Sequence, residues 1–197
     1  MRASRRFLLR DRLPTGPAPL LRDTFARGDS SSALGTCDTG QSWSALTGTW
    51  GVASNRGYRV GINTTDCVAA IDVGVAWSGY EALVLATAEF PGLIFDLANS
   101  TNYYVVLVNN ANRALELFKR VSGTYTLVSA SANNVFTASS DVRIKIVRSG
   151  ASKVVQVAGT PVITATDSSL SATTSVGLRL QTNAGTNNSR WSDITVT

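Results

Sequence analysis

Short apolar runs separated by polar turn residues dominate the chain, and this pattern predicts strands. From residue 49 onward, runs rich in Val, Ile, Leu, Thr and Tyr are punctuated by Gly, Asn, Ser and Asp. Val176, Leu178 and Leu180 alternate with more polar residues, as in a strand with one buried face. No helical period lasts beyond a turn or two. The predicted strands are residues 49–53, 57–62, 67–73, 82–89, 92–97, 102–109, 113–121, 124–130, 141–148, 152–158, 161–166, 175–181 and 189–196.

The number and regular spacing of these runs predict an all-β fold. Short strands joined by tight turns, such as those at Ser122-Gly123 and Ser149-Gly150, are typical of antiparallel sheets in a sandwich or barrel. A chain of 197 residues is long enough for one domain with a substantial core. We therefore expect an antiparallel two-sheet β-sandwich of the jelly-roll type at residues 23–197, preceded by an extended basic N-terminal arm at residues 1–22.

The positive charge of the chain is concentrated in this arm. Residues 1–22 contain six arginines and one aspartate, which account for the whole formal charge of +5, and residues 23–197 contain equal numbers of basic and acidic side chains. A nucleic-acid-binding domain would carry a basic stripe within the fold. Arg143, Lys145 and Arg148 instead alternate with apolar residues, which predicts the solvated face of a strand. We expect no nucleic-acid partner.

The arm combines arginines with large apolar residues. Its prolines favour an extended chain, and this composition suits docking on a partner protein, with arginines on carboxylates and leucines in a groove. A tail without fixed structure is the simpler alternative. Residues 4–10 resemble a twin-arginine export signal, but their apolar stretch is too short, so we expect no export. The predicted docking residues are Arg5, Arg6, Phe7, Leu8, Leu9, Arg10, Arg12 and Leu13.

The chain contains no histidine, and this absence narrows the possible chemistry. It excludes Ser-His and Cys-His pairs and histidine metal ligands, so that catalysis would depend on carboxylates. We expect no cofactor and no metal, because the turn-like segments 109–112 and 187–188 offer asparagine amides without carboxylates. No apolar run is long enough to span a membrane. Cys37 and Cys67 could form a disulfide, but we favour reduced, buried thiols.

Several short motifs in a fixed order resemble one family. They resemble concanavalin A-like, laminin-G-like jelly rolls, many of which occur in minor tail proteins of bacteriophages that infect actinobacteria. The resemblance covers residues 23–197, and each motif by itself is only a strand or turn signature. The motifs are DTFxRxD at 23–29, LG at 34–35, DTG at 38–40, Trp43, GTWGV at 48–52, GLIF at 92–95, NYYVVL at 102–107, LFK at 117–119, DVRI at 141–144, TATD at 164–167, VGLR at 176–179 and WxDIxV at 191–196.

The resemblance has consequences for packing and for catalysis. It implies that the first and last strands pair, so that Phe25 and Ile194 share one core, and that Trp43 and Trp50 cap this core. Polysaccharide hydrolases of the family carry Glu-x-Asp-x-x-Glu on one face of a strand, which sets two carboxylates at the spacing that retention requires. This chain has no such triplet. We expect a protein that is not an enzyme.

The main functional hypothesis is a structural component of a phage particle. In this interpretation the protein is a minor tail or decoration protein that assembles in the host cytoplasm as a symmetric homo-oligomer. The arm anchors the neutral sandwich to other virion proteins. The charge distribution, the resemblance and the absence of catalytic motifs favour this hypothesis.

The alternative is a lectin-like module that attaches to host cell-wall glycans through exposed aromatic side chains. Trp77 and Tyr80 flank a predicted exposed turn, and one of the adjacent Tyr103 and Tyr104 must face out of a regular sheet. Tyr125 is a further candidate. The simpler interpretation of these aromatics is core packing plus ordinary surface tyrosines. A carbohydrate-binding domain of a secreted bacterial enzyme is a third possibility.

Overall fold

All regular elements among the described residues of the computed structural model are strands. The described residues are 18–61, 66–85, 87, 90–181 and 189–197, and the predicted docking residues Arg5–Leu13 lie outside them. The strands are β1 (Leu21–Asp23), β2 (Ser44–Thr47), β3 (Thr49–Ala53), β4 (Arg56–Val60), β5 (Cys67–Asp72), β6 (Gly79–Leu85), β7 (Pro91–Asn99), β8 (Asn102–Asn109), β9 (Ala114–Val121), β10 (Thr124–Ala130), β11 (Asp141–Ser149), β12 (Ser152–Val157), β13 (Thr160–Thr166), β14 (Ser175–Leu180) and β15 (Arg190–Val196).

The strands form two antiparallel sheets. One has eight strands in the order β13-β12-β11-β6-β15-β4-β3, with β1 paired to β15, and the other has seven in the order β10-β9-β8-β7-β14-β5-β2. Neighbours in both orders pair antiparallel. The predicted two-sheet antiparallel sandwich is confirmed.

The apolar pattern located thirteen of these strands, from β3 to β15, but missed β1 and β2. β1 has three residues, and β2 is mostly exposed, so neither carries an apolar alternation of its own. These two strands form because they pair with other strands: Asp23 of β1 pairs with Ile194, and Ser44 of β2 pairs with Ala70.

The main core lies between the two sheets, and β14 illustrates how the sequence builds it. Val176, Leu178 and Leu180 point inward and are fully buried in this core, as the alternation predicted. Phe25, Trp43, Trp50 and Ile194 belong to the same cluster, which confirms the packing that the resemblance implied. Each fully buried side chain of this size stabilises the fold by about 1.5–3 kcal/mol.

A buried aspartate closes the N-terminal end of the sandwich. The carboxylate of Asp23 accepts hydrogen bonds from Nη1 and Nη2 of Arg27 at 2.8 and 2.9 Å, from Nε1 of Trp43 at 2.7 Å and from the amide of Phe25 at 2.8 Å. Asp38 accepts from the amide and hydroxyl of Thr24. The first motifs of the sequence therefore form one hydrogen-bonded unit.

The sandwich begins before residue 23. Leu21 pairs with Val196 and Arg22 with Thr195, and the amide of Leu20 donates to the carbonyl of Val196. Leu21 is fully buried. β1 therefore includes Leu21 and Arg22, which the sequence analysis placed in the arm, because a three-residue edge strand gives no pattern that separates it from an extended arm.

Arg148 was assigned to a solvated strand face, and this prediction is wrong. The side chains of Arg143 and Lys145 point outward, but Arg148 has the parity of Ile144 and Ile146 and points into the core. There it forms an ion pair with Asp96, whose second oxygen lies 3.9 Å from Nζ of Lys153. All three are buried.

Two further expectations concern the cysteines and membranes. Cys37 and Cys67 are both buried and form no disulfide with each other, as the sequence analysis favoured. The described part of the chain contains no helix with the length and apolarity that a membrane crossing needs.

Candidate functional site

The predicted glycan-binding aromatics Trp77, Tyr80 and Tyr104 lie inside the sandwich. Tyr80 and Tyr104 are fully buried, and Trp77 is 6% exposed. The hydroxyl of Tyr80 donates to the carbonyl of Gly177 in the opposite sheet at 2.9 Å, and complete burial raises its pKa. Trp77 packs edge-on against Phe95. These three side chains cannot stack on a sugar, because they are buried. Where a turn was expected at Gly79, β6 begins instead.

Tyr103 points to the other side of its sheet from Tyr104, as the alternation required. It belongs to a second apolar cluster on the outer face of the seven-stranded sheet, yet it is also fully buried. Its ring is covered on that face, so Tyr103 is not an exposed stacking platform either. Its hydroxyl lies 2.6 Å from that of Tyr125.

The outer face of the seven-stranded sheet has an apolar floor. Because alternate residues of a strand point to the same face, outward-facing apolar residues of β5, β7 and β8 lie side by side in one row. Gly177 of β14 lies in the same row, and a Cβ atom there would lie 2.3 Å from the carbonyl oxygen of Ala69. The floor consists of Val68, Ala70, Ile94, Leu97, Val105 and Leu107.

Contacts across this floor require a concave sheet. Arg179 of β14 and Tyr125 of β10 are separated by three intervening strands, which corresponds to about 19 Å in a flat sheet. The guanidinium carbon of Arg179 nevertheless lies 5.2 Å from the ring centroid of Tyr125. The sheet must therefore curve toward this side, which we call the concave face.

A polar cluster centred on Asp66 lies over one end of the concave face. The carboxylate of Asp66 accepts a hydrogen bond from Nη2 of Arg179 at 2.7 Å and one from the hydroxyl of Tyr125 at 2.6 Å. Nη1 of Arg120 lies 3.8 Å from the same carboxylate and donates to the hydroxyl of Tyr103 at 3.2 Å. Residues from five separate segments thus meet at one point.

Arg179 is the member of this cluster whose hydrogen bonding is incomplete. Its side chain is 3% exposed, and its Nε and Nη1 atoms are buried without a hydrogen-bond partner. Only Nη2 is engaged, by Asp66. A buried donor without an acceptor costs about 1–3 kcal/mol, and among the described residues no acceptor pairs with these two nitrogens of Arg179.

Arg179 lines a cavity of about 270 Å³ on the concave face, which we call the Arg179 pocket. It has a polar side and an apolar side, a combination that ligand sites share. Burial raises the pKa of Tyr125 above its ordinary range, against the opposing charge of Arg179, so that its hydroxyl stays protonated. The described lining residues are Asp66, Leu107, Phe118, Tyr125, Arg179 and Gln181.

A second, wider cavity of about 440 Å³ lies at the other end of the same face. It shares Ala70 and Leu97 with the apolar floor. Hydrogen bonds from Thr174 and from the amide of Gly74 lower the pKa of Asp72, which keeps that carboxylate ionised. The described residues of this Asp72 pocket are Ser44, Leu46, Ala70, Asp72, Leu97, Ala98, Asn99, Ser100 and Ser175.

Each of the two pockets has fewer described carboxylates than a two-carboxylate hydrolytic site or a metal site. Of the described lining residues, Asp66 is the acidic one in the Arg179 pocket and Asp72 in the Asp72 pocket. Glycoside hydrolysis uses two carboxylates that flank the same bond. No group of three or more Asp, Glu, Cys or His side chains that could hold a metal occurs among the described residues.

The sequence analysis named Tyr125 but missed Asp66, Arg179, Phe118 and Gln181. One signal for Arg179 was available, because the alternation of β14 already assigned it to the face opposite the core. Its convergence with Asp66 depends on the curvature of the sheet, which no local pattern encodes.

Comparisons with solved structures identify the fold. The chain is similar to the carbohydrate-binding module CBM66 of Bacillus subtilis, with a TM-score of 0.62 and 16% identity over 79% of this chain and 93% of the other. It is similar to the β-glucanase of Bacillus licheniformis, with a TM-score of 0.58 and 13% identity over 87% and 99%. A third match is the VIP36 exoplasmic/lumenal domain in a Ca²⁺/Man3GlcNAc-bound form, with a TM-score of 0.55 and 8% identity over 80% and 83%.

The fold is therefore the concanavalin A-like jelly roll that the sequence motifs indicated. No protein-family model and no curated protein sequence matches the chain.

Proposed function

We propose that this domain is a non-catalytic carbohydrate-binding module, and that the Arg179 pocket on its concave face holds the sugar. The observation that carries this proposal is the guanidinium of Arg179, which lines a cavity while two of its nitrogens have no partner. Hydroxyl oxygens of a sugar would accept from these donors. The carboxylate of Asp66 and the amide of Gln181 offer further polar contacts in the same pocket.

The apolar side of the pocket complements the other face of a sugar ring. Phe118 and Leu107 line it, and the ring of Tyr125 packs edge-on against that of Phe118. Rigid aromatic side chains provide contact area with little loss of conformational entropy on binding. A site with a few fixed polar groups against an apolar wall is the usual composition of a small-molecule pocket.

The fold supports this proposal by analogy. Similar structures include a carbohydrate-binding module and a domain in a Ca²⁺/Man3GlcNAc-bound form, although likeness at this identity concerns the fold alone. A glucanase also shares the fold. Binding without catalysis is favoured here because the two pockets hold one described acidic residue each, and Asp66 is already engaged by Arg179 and Tyr125.

The proposal is tested by a glycan array followed by titration calorimetry with the best ligand. We expect Arg179→Gln to weaken binding at least tenfold. The matched control is Arg143→Gln on the outer face of the other sheet, where Arg143 pairs with Glu81 and Asp193 in solvent, and it should stay within twofold of the wild type. An array without any bound glycan, or equal loss in both variants, would reject the proposal.

The interpretation as a phage tail component stays a prediction. The anchoring that it requires depends on the docking residues Arg5–Leu13, which lie outside the described part of the chain. The sandwich itself is compatible with such a role, since a particle protein can also bind a surface glycan.

A further inference from the structure

The charges around the Arg179 pocket are unbalanced. Among the described residues, two guanidinium groups, those of Arg179 and Arg120, lie within 4 Å of the single carboxylate of Asp66. The two tyrosine hydroxyls that complete the cluster, Tyr103 and Tyr125, hydrogen-bond to each other. The cluster therefore carries one surplus positive charge.

This surplus belongs to a group that lines the cavity but has little contact with bulk water. Arg179 is almost fully buried and has one hydrogen-bond acceptor, Asp66, for its planar set of donors. The free energy cost of a buried charge is large unless it is paired and its donors are satisfied. Asp66 is shared with Arg120 and Tyr125, so it compensates Arg179 only in part.

A second acid on this face, Glu116, does not supply the missing charge. Glu116 points to the concave face in the row of Leu107, but its carboxylate accepts from the amide of Asn109 at 2.8 Å. It is not among the described residues that line the pocket. Among the described residues that line the pocket, Asp66 is the one acid, so a ligand that carries its own acidic group would balance the cluster.

We infer that the Arg179 pocket binds an acidic sugar, with the ligand's carboxylate paired to the guanidinium of Arg179. This inference rests on the proposed carbohydrate-binding function and deepens it. A carboxylate is planar and accepts charge-assisted hydrogen bonds from arginine, which are about twice as strong as neutral ones. It supplies both the negative charge and the acceptors that the pocket lacks. The ring of the same sugar then lies against Phe118 and Leu107.

The test uses matched pairs of oligosaccharides that differ only in the carboxyl group. Oligomers of galacturonic, glucuronic and mannuronic acid are compared with the same oligomers after reduction of their carboxylates to primary alcohols. We expect at least one acidic member to bind ten times or more tightly than its reduced partner, and we expect added salt to weaken this binding. Arg179→Gln should abolish the preference, whereas Arg143→Gln should retain it.

Each outcome of this test has a distinct meaning. Equal binding of acidic and reduced members, binding of neutral or sulfated glycans only, or an unchanged preference in Arg179→Gln overturns the inference but leaves the proposed function intact. Absence of binding to every glycan overturns both. If Arg179→Gln fails to fold, Arg179→Lys takes its place. We expect this variant to keep the preference for acid at lower affinity, since it retains the charge and loses the planar donors.

Discussion

The buried carboxylate of Asp23 offers a quantitative test of how the N-terminal motifs stabilise the sandwich. In Asp23→Asn the side chain keeps its size but loses its charge and one of its two acceptor oxygens. Arg27 and Trp43 then compete for a single oxygen, since both now bond to the carboxylate within 3 Å. The variant therefore leaves a buried donor without a partner and separates Arg27 from its counter-ion.

The magnitude follows from the burial of the two ions. Breaking a buried ion pair from one side costs about 3–5 kcal/mol. The side chain of Asp23 is fully buried but that of Arg27 is 22% exposed, so water recovers part of the loss, and we expect about 2–4 kcal/mol. For a domain of this size each kcal/mol lowers Tm by about 2–4 °C, which corresponds to about 4–16 °C.

Urea unfolding followed by tryptophan fluorescence measures this change, because Trp43 donates directly to Asp23. The matched control is Asp29→Asn, which removes a charge from an exposed residue that accepts one hydrogen bond from the amide of Ser54. Its cost should stay below about 1 kcal/mol. If Asp23→Asn is no more destabilising than Asp29→Asn, Asp23 does not hold this segment in place.

Two further predictions concern acid stability and the concave face. Burial favours the neutral form of Asp167, but hydrogen bonds from Lys119 and Tyr104 outweigh it and hold its pKa well below the usual range. The contribution of Asp167 to stability is therefore complete above its unfolded pKa of about 3.9 and is lost as the pH falls below that value. Lowering the pH from 6 to 3 should reduce the free energy of unfolding less in Asp167→Asn than in the wild type. Denaturant titrations that give the same pH dependence for both proteins would contradict this. Gly177→Ala sets a Cβ atom 2.3 Å from the carbonyl oxygen of Ala69, whereas a Cβ atom at Gly28 meets nothing within 4 Å. Thermal unfolding should therefore show that Gly177→Ala loses about 1–3 kcal/mol of stability and that Gly28→Ala loses little. Similar losses in both variants would refute the packing argument.

The strands of the sandwich could be predicted because their signal is local. In β14 the alternation of apolar residues alone assigns Val176 to the core and Arg179 to the opposite face, and the structure agrees. The same rule, applied two residues beyond Ile146 in β11, would have assigned Arg148 to the core. Arg148 was predicted to be solvated because an unpaired charge is rarely buried. Its partner Asp96 lies 52 residues away in the chain, so the sequence pattern around Arg148 does not show the pair.

The site could not be predicted in the same way. Trp77 and Tyr80 suggested an exposed turn because Ser78 and Gly79 separate them, whereas the amides of Ser78 and Gly79 donate to the carbonyl of Thr197 and hold the segment against the last strand. The Arg179 pocket depends on residues 66 to 181, which only the curvature of the seven-stranded sheet brings together. Sequence patterns describe the faces of strands and not the distance between strands four places apart.

The most direct test of the central claim is to map the bound glycan by amide chemical shifts in ¹⁵N-labelled protein. If the sugar occupies the Arg179 pocket, titration should move the amides of Leu107, Phe118 and Gln181, which line it, and the same titration of Arg179→Gln should leave them unchanged. Shifts confined to the outer face of the eight-stranded sheet, around Arg143 and Glu81, would contradict the account.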